Sequence, residues 1–309
     1  MLTGDLRCGV AWSPLQRVKN DALWWLASIA LAATRPLPIP VLRYLGRCLG
    51  AVAHALVPRA RRIAIDNVGR VFPGLDAVER SALVRRCYAT LGELLGETIA
   101  PLASHRFIPP LPVCARSLGL IDQARAEGRG VVFASAHLGP WESVAASLVA
   151  AGVPLVTLVR ESYDPRFSRL YERLRTRHGV RVVWRASPGA AVQIVRTLRA
   201  GGVLGMPMDL CARVASCDAP FLGHDAPTAI GAARLAIRMG AVVVVGTAAP
   251  FGDGLQVTVT RIGTNDLPRQ VAGEHELTRR INEELSRRIL DLPHAWVWMH
   301  ERWPSQTRV

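Results

Sequence analysis

Short apolar runs alternate with helical stretches along the chain from residue 130 onward. Five of these runs have the length and the β-branched content of buried strands, and they cover residues 131–136, 153–159, 180–184, 203–208 and 241–248. Repeated alternation of strand and helix is typical of βα units, whose strands pair in parallel. The pattern therefore predicts an α/β fold with a mostly parallel central sheet flanked by helices.

The ends of several predicted elements carry recognisable residues. Asp164 followed by Pro165 predicts the start of a helix, and Gly179 predicts its end. The Gly-Asp-Gly sequence at residues 252–254 predicts a hairpin, after which residues 255–262 add an antiparallel strand. The last predicted helix carries a single apolar stripe, formed by Leu277, Ile281, Leu285 and Ile289.

The N-terminal part of the chain has a different, helical pattern. Residues 22–33 are apolar and include two adjacent tryptophans, but a helix needs about 20 apolar residues to span a bilayer. Residues 41–57 place Arg43 and Arg47 among apolar residues, as in a helix that lies at the lipid–water interface. We therefore expect a membrane-associating helical region. Two ordinary core helices are the alternative that the pattern leaves open.

A further helix is predicted to begin at Asp76, because Glu79 three residues later completes a capping pattern. The proline-rich stretch at residues 101–112 ends this helical portion. We therefore divide the chain into an N-terminal helical, membrane-associating region at residues 1–105 and an α/β core at residues 106–309.

Basic and apolar character coexist in this chain. It has 38 Lys and Arg against 24 Asp and Glu, a formal net charge of +14 and a mean hydropathy of +0.20. Lys19 is the only lysine, and arginine binds phosphate through a planar fork of donors. An anionic bilayer, a phosphorylated lipid or a nucleic acid would each suit this charge, although GC-rich coding also produces such a lysine deficit. The arginines of residues 166–185 form either a binding patch for acidic groups or a solvated face.

Cysteine usage points to a reducing compartment. The six cysteines show no Cys-x-x-Cys pair and no regular spacing. Cys211 and Cys217 lie near His224, but their spacing matches no common zinc pattern. We accordingly predict no metal, and separately we expect no cofactor.

The segment most suggestive of chemistry is His137-Leu-Gly-Pro-Trp-Glu142, directly after the predicted strand at residues 131–136. Ligands of open α/β sheets bind at the carboxyl ends of strands, where His137 falls. On one continuous helix the two side chains would point about 140° apart, so a bend at Pro140 must bring them together. Glu142 could then accept a hydrogen bond from the imidazole and leave the other ring nitrogen basic. A structural histidine is the competing interpretation.

This segment and several others resemble the bacterial lipid A late acyltransferases, the lauroyl and myristoyl transferases, whose signature is a histidine, four residues and an acid. The resemblance extends over most of the chain. The further matching pieces are residues 67–73, Arg160 in Leu158-Val-Arg160, Asp209 in Met206-Pro-Met-Asp209, residues 220–223 with 226–228, and residues 296–303.

The resemblance implies an acyltransferase and a set of residue roles. His137 would be the general base that activates an acceptor hydroxyl, and Glu142 would orient and charge-stabilise it. Arg160 would bind a substrate phosphate. Asp209, which we also assign to substrate binding, could alternatively order the active-site loop or cap a helix. The donor would be a thioester of acyl carrier protein or coenzyme A, and the acceptor a lipid A precursor or a related glycolipid or phospholipid. Trp184, Trp296, Trp298 and Trp303 would line an acyl groove or, as we favour, pack in the core.

The resemblance also implies a location at the cytoplasmic face of the bacterial inner membrane, held peripherally or monotopically. The chain departs from the family in three respects: Leu210 follows Asp209 where glutamine is usual, the motif acid is Glu142 rather than aspartate, and the N-terminal apolar segment is short. Two other functions remain as alternatives. One is a non-catalytic protein binding membranes or nucleic acid, although no nucleic-acid-binding motif is present. The other is a lipid hydrolase using Ser135, although no nucleophile-elbow motif is present.

Overall fold

The computed structural model describes residues 12–104, 108–211 and 214–304. The helices are α1 (Pro14–Ala33), α2 (Ile39–Leu56), α3 (Pro58–Val71), α4 (Ala77–Ser104), α5 (Ala115–Ala126), α6 (Trp141–Ala150), α7 (Pro165–Arg177), α8 (Ala190–Arg199), α9 (Gly231–Met239) and α10 (Val271–Asp291). The strands are β1 (Val131–Ser135), β2 (Leu155–Val159), β3 (Arg181–Trp184), β4 (Val203–Pro207), β5 (Ser216–Phe221), β6 (His224–Ala229), β7 (Val242–Phe251) and β8 (Gly254–Ile262).

The main sheet confirms the predicted α/β architecture. Its six strands have the order β3-β2-β4-β1-β7-β8, and all neighbours are parallel except the β7–β8 hairpin. The five predicted buried strands are all present, with bounds that differ from the predictions by at most three residues. The predicted hairpin turn is also confirmed, because Phe251 pairs with Gly254 across it.

Helices cover both faces of this sheet. On one face, Ile121 of α5 and Val144 and Leu148 of α6 pack in one buried cluster with Val131 and Phe133. On the other face, residues of α8, α9 and α10 pack with the alternate β1 side chains, including Val132 and Ala134. Successive strand residues point to opposite faces, so a strand covered on both sides is apolar throughout. This explains the continuous apolar runs in the sequence.

The predicted helix ends are confirmed at atomic detail. The Asp164 carboxylate accepts the Arg166 amide at the start of α7, and Gly179 follows its end with a φ of 72°. The Asp76 carboxylate accepts the Glu79 amide, while the Glu79 carboxylate accepts the Asp76 amide, which completes the capping box. The predicted α10 stripe is wholly buried: Leu277, Ile281, Leu285 and Ile289.

A second, two-stranded sheet formed by β5 and β6 was not predicted. Pro220 and Pro227 obscure it, because proline within an apolar run argues against a strand in the interior of a sheet. Here each strand has one partner only, so a missing amide is tolerated. The signal that could have revealed it is the alternation of polar and apolar residues from Ser216 to Ala219, followed by Gly223 at the turn. The structure shows alternating burial along β5 and a positive φ at both Leu222 and Gly223.

Within the N-terminal helical region, α2 and α4 are held together by unusually close backbone packing. A Cβ atom added to Gly46 of α2 would lie 2.1 Å from the Gly92 carbonyl oxygen of α4. The same close approach recurs at Gly50 and at Gly96. Arg43 and Arg47, which we placed at a lipid interface, are largely exposed and pair with glutamates on α4. No residue of α1 is buried, so α1 is not a core helix.

Within residues 12–104, 108–211 and 214–304, no helix is both long enough and apolar enough to cross a bilayer. The proposed boundary between residues 105 and 106 falls outside the described residues, and the division into two parts stays a prediction. Helix α4 continues through Pro101 to Ser104, into the proline-rich stretch. Val68 of α3 and Val84 of α4 belong to the same buried cluster as one face of the sheet.

Candidate active site

Two neighbouring parallel strands position His137 and Asp209. Ser135 at the end of β1 is in register with Pro207 at the end of β4, and Met208 N–H donates to the Ser135 carbonyl at 2.9 Å. His137 and Asp209 each lie two residues beyond that pair. Because parallel strands keep their register into the following loops, the two side chains emerge side by side at the carboxyl edge of the sheet.

The Asp209 carboxylate binds His137 twice. Its Oδ2 accepts the His137 backbone N–H at 2.8 Å, and its Oδ1 lies 3.0 Å from the His137 ring Nδ1. Oδ2 also accepts the indole N–H of Trp296 at 2.8 Å. An ionised carboxylate only accepts, so Nδ1 carries a proton in the neutral ring and Nε2 holds the free lone pair. Among the described residues, Nε2 has no recorded hydrogen-bond partner, and the side chain is 27% exposed.

The electrostatics of the pair favour a charged Asp209 beside a basic His137. Burial of the imidazole lowers its pKa, but the charge and hydrogen bond of Asp209, with the charge of Glu142, outweigh burial and raise the pKa above its usual value. Burial raises the pKa of Asp209, but His137 and the Trp296 and backbone N–H donors outweigh burial and lower it. The ring is therefore a stronger base than a solvent-exposed imidazole.

Glu142 lies in the first turn of α6, as predicted, but its recorded hydrogen bonds go elsewhere than to His137. Its carboxylate accepts from the Tyr171 hydroxyl at 2.6 Å and from Arg175 at 2.9 and 3.0 Å. Arg175 in turn donates to the Thr157 hydroxyl of β2. The carboxylate hydrogen-bonded to the imidazole is thus Asp209, and Glu142 reaches the ring through its charge.

Glu142 does not bond to His137 because the first turn of α6 directs its side chain elsewhere. Gly139 has a φ of 58° and Trp141 begins the helix, with its ring edge-on to His137 at 5.3 Å between centroids. Glu142, one residue further around the turn, points toward α7. The Glu142–Arg175 pair is nearly buried, with side-chain exposures of 13% and 11%.

Arg160 lies just after β2, at the same edge of the sheet but on the far side of β4. It is exposed and donates to the Tyr163 hydroxyl at 2.8 Å, with its guanidinium stacked over that ring. It makes no recorded hydrogen bond with His137 or Asp209. The structure therefore brings His137 and Asp209 into direct contact, Glu142 into electrostatic reach, and leaves Arg160 at the rim.

The segment after α10 forms one wall of the site. Gly139 N–H donates to the Ala295 carbonyl, and Leu138 forms a β-bridge with Trp296. Trp296 and Trp298 are fully buried, which confirms core packing as their role. The bond from Trp296 to Asp209 was missed, because nothing local in the sequence links positions 87 residues apart. The pairing of Arg175 with Glu142 was missed for the same reason, because the two residues lie 33 positions apart in the sequence.

A small cavity of about 30 Å³ lies behind Glu142, between α4, α6 and α7, and is lined in part by Thr98, Ile108 and Leu174. It has room for one or two water molecules, not for a fatty acyl chain. Among the described residues, no three His, Cys, Asp or Glu side chains assemble into a metal-binding group.

Chemically, this geometry could serve as a general base toward a hydroxyl that a substrate supplies. The hydroxyl that the hydrolase alternative requires, on Ser135, donates to the Gly246 carbonyl and not to His137. What the site offers is a basic Nε2 at a partly exposed ring, held by a buried carboxylate.

Comparison with known proteins identifies the family to which this chain belongs. The model of the bacterial lipid A biosynthesis acyltransferase family matches residues 12–305. The chain is 25% identical over 296 residues to the lipid A biosynthesis palmitoleoyltransferase of Escherichia coli (strain K12), covering 92% of each chain. It has the same identity and coverage with the lipid A biosynthesis acyltransferase of Shigella flexneri. The chain belongs to the bacterial lipid A biosynthesis acyltransferase family and is an acyltransferase.

Proposed function

We propose that this acyltransferase moves a fatty acyl chain from a thioester of acyl carrier protein or coenzyme A to a hydroxyl of a lipid A precursor or related lipid. Membership of the family supports the lipid A acceptor class, and the names of both relatives refer to lipid A biosynthesis. The observation that carries the mechanism is the Asp209–His137 pair at the carboxyl edge of the sheet. No cofactor is required, because the thioester is itself an activated donor.

In the proposed mechanism His137 Nε2 takes the proton of the acceptor hydroxyl as the oxygen attacks the thioester carbonyl. Asp209 holds the Nδ1 proton and stabilises the imidazolium that forms. The tetrahedral oxyanion then collapses with cleavage of the carbon–sulfur bond. The imidazolium returns its proton to the departing thiolate, so the products are an ester and a free thiol.

The oxyanion needs preorganised donors, and the first turn of α6 supplies candidates. The Trp141 amide is already bound to the Gly139 carbonyl and the Val144 amide to the Pro140 carbonyl. The amides of Glu142 and Ser143 between them are the ones we assign to the oxyanion. In this scheme Glu142 fixes the orientation of that turn through Arg175 and also raises the basicity of His137 by its charge. We assign Arg160, at the rim, to a phosphate of the acceptor or donor.

We further propose that the protein associates peripherally with the cytoplasmic face of the bacterial inner membrane. The support is an exposed apolar row along α1, where Leu15, Val18, Trp25 and Ile29 are each more than 60% exposed. A second exposed row runs along α2 and comprises Val41, Leu45, Leu49, Val52 and Leu56. Exposed apolar area on this scale indicates a contact surface, and a helix with one apolar face can lie in the lipid interface.

The proposal is tested by lipid mass spectrometry of cells with and without the protein, together with transfer assays using purified enzyme. We expect His137→Ala to abolish ester formation from an acyl thioester, while His275→Ala, an exposed histidine on α10, retains wild-type rates. Acylation of a lipid hydroxyl that persists at the wild-type rate in His137→Ala would contradict the mechanism. Release of free fatty acid without ester formation would favour a hydrolase.

A further inference from the structure

Two arginines on the outer side of α7 have no acidic partner among the residues that the structure describes. Arg169 and Arg173 are exposed, lie one helical turn apart, and form no recorded ion pair. The arginines of α10 behave differently, because each is paired with acids at short range: Arg279, Arg280, Arg287 and Arg288. The positive charge on α7 is therefore left open toward solvent.

These arginines line a groove between α1 and α7. The groove has a volume of about 500 Å³ and is lined by Trp24, Arg166, Arg169, Glu172, Arg173 and Thr176. Its α7 side carries Arg169 and Arg173 against Glu172 alone and is therefore cationic, whereas Arg166 is already paired with Asp21 and Asp164. Glu172 forms no recorded salt bridge with Arg169 or Arg173.

Helix α1 is fixed beside the groove by specific contacts. Arg166 binds Asp21 of α1 at 2.7 Å while also binding Asp164, and Trp24 packs edge-on against Phe167. Arg166 is thereby neutralised and serves to attach α1. Trp24 faces the groove while Trp25, the next residue, is 64% exposed in the apolar row of α1. One side of α1 therefore faces the groove, and the adjoining side carries the exposed apolar row.

We propose that this groove, which we call the α1–α7 groove, binds the phosphate of anionic lipid headgroups while the apolar row of α1 enters the bilayer. This inference rests on the membrane association proposed above and names the residues that make it selective for anionic lipid. Tryptophan favours the headgroup level, and the arginine fork fits phosphate oxygens. A phosphate seated between Arg169 and Arg173 would lie in the groove that Trp24 also lines, next to Trp25 of the apolar row.

The expected contribution is measurable. A basic side chain close to an anionic bilayer strengthens binding about fivefold, so loss of both groove arginines should weaken it about 25-fold. The chain offers a matched control in Arg196 and Arg199 of α8, which are exposed, have no recorded ion pair, and lie on the opposite face of the sheet. Removing either pair changes the net charge of the protein equally.

The test is co-sedimentation with vesicles of phosphatidylcholine, alone or mixed with phosphatidylglycerol. We expect phosphatidylglycerol to strengthen binding of the wild-type protein and of Arg196→Gln/Arg199→Gln. Arg169→Gln/Arg173→Gln should lose about 25-fold in affinity for the mixed vesicles and little for phosphatidylcholine alone. Equal losses in both double variants would show that net charge rather than the groove is responsible. No loss in either variant would show that the groove arginines do not contribute to binding, and each of these outcomes would overturn the proposal.

A second measurement separates this inference from the proposed function. With substrates dispersed in neutral detergent, Arg169→Gln/Arg173→Gln should keep the wild-type kcat and KM, because neither arginine contacts His137 or Asp209. If that variant instead shows a raised KM for an acyl carrier protein thioester and unchanged vesicle binding, the groove serves an acidic protein and the lipid proposal is wrong. Absence of acyl transfer in the wild-type enzyme, with vesicle binding intact, would contradict the proposed function alone.

Discussion

Replacing Asp209 by asparagine is the sharpest test of how His137 is prepared as a base. The substitution keeps the shape of the side chain but removes its charge and turns one acceptor into an NH₂ donor. Oδ2 accepts two N–H donors at 2.8 Å, from the His137 backbone and the Trp296 indole, whereas Oδ1 faces only the ring Nδ1. The asparagine oxygen is therefore expected to occupy the Oδ2 position, because the reverse orientation would leave two donors unpaired instead of one.

This orientation points the asparagine NH₂ group at Nδ1 of His137. A neutral ring must then accept at Nδ1 and carry its proton on Nε2, the nitrogen that has to receive the substrate proton. Each unpaired buried donor costs about 1–3 kcal/mol, which sets the preference for this orientation over the flipped one. The analogous change in a serine protease triad lowers kcat by about 10⁴, and we expect a loss of about 10³–10⁴ here, equivalent to about 4–5 kcal/mol of transition-state stabilisation.

The assay is single-turnover transfer from an acyl thioester, with the tautomer of His137 read by ¹⁵N NMR of labelled histidine. Asp218→Asn, an exposed aspartate on β5, is the matched control and should retain the wild-type rate. Thermal unfolding of both variants shows whether the fold is kept. A rate for Asp209→Asn within tenfold of the wild type would refute the reasoning, and so would a lost rate with the proton still on Nδ1.

Three further results are expected. Because the pKa of His137 is raised and only the neutral ring is a base, kcat/KM should rise with pH through a midpoint above 6.5. The raised pKa also stabilises the folded state at acidic pH, and this stabilisation is lost as the pH rises through the folded-state pKa of His137. Glu142→Gln should lower the unfolding free energy by about 3 kcal/mol, measured by urea titration, because it leaves the nearly buried Arg175 without its counter-charge. Gly46→Ala should lower Tm strongly, since its Cβ would lie 2.1 Å from a carbonyl oxygen of α4, whereas Gly119→Ala, with open space around it, should not. Unchanged stability in Gly46→Ala would contradict the close packing of α2 on α4.

Much of the fold could be predicted from the sequence because its signals are local. Strands buried on both faces give mostly apolar runs of five to eight residues, and the caps at Asp76 and Asp164 act within three residues of themselves. The order of the strands has no such local signal. In the sheet β1 lies next to β4 and not next to β2, and this neighbour relation depends on how the whole sheet packs. Because Asp209 follows β4, it lies beside His137, which follows β1.

For the same reason, the sequence predicted which residues lie near the candidate site better than it predicted which of them contact each other. His137 and Glu142 were recognised from one motif, and their proximity in sequence suggested that they bond each other. Asp209 was recognised as the end of an apolar strand, without a partner. In the structure the ring of His137 is hydrogen-bonded to Asp209. His137 and Asp209 each lie two residues beyond a pair of strand residues in register, which brings them into contact. His137 and Glu142, five positions apart around a bend, are not hydrogen-bonded to each other.

This arrangement also separates two kinds of influence on His137. The charge of Glu142 raises the pKa of the ring, but Arg175, bound to the same carboxylate, lowers it, so the two effects oppose each other. Within the part of the chain that the structure describes, no arginine or lysine contacts Asp209, whose donors are two neutral N–H groups and the ring itself. Asp209 is therefore expected to determine the basicity and tautomer of His137. The motif acid Glu142, bound to Tyr171 and Arg175 of α7 and through Arg175 to β2, is expected to hold the first turn of α6 in place.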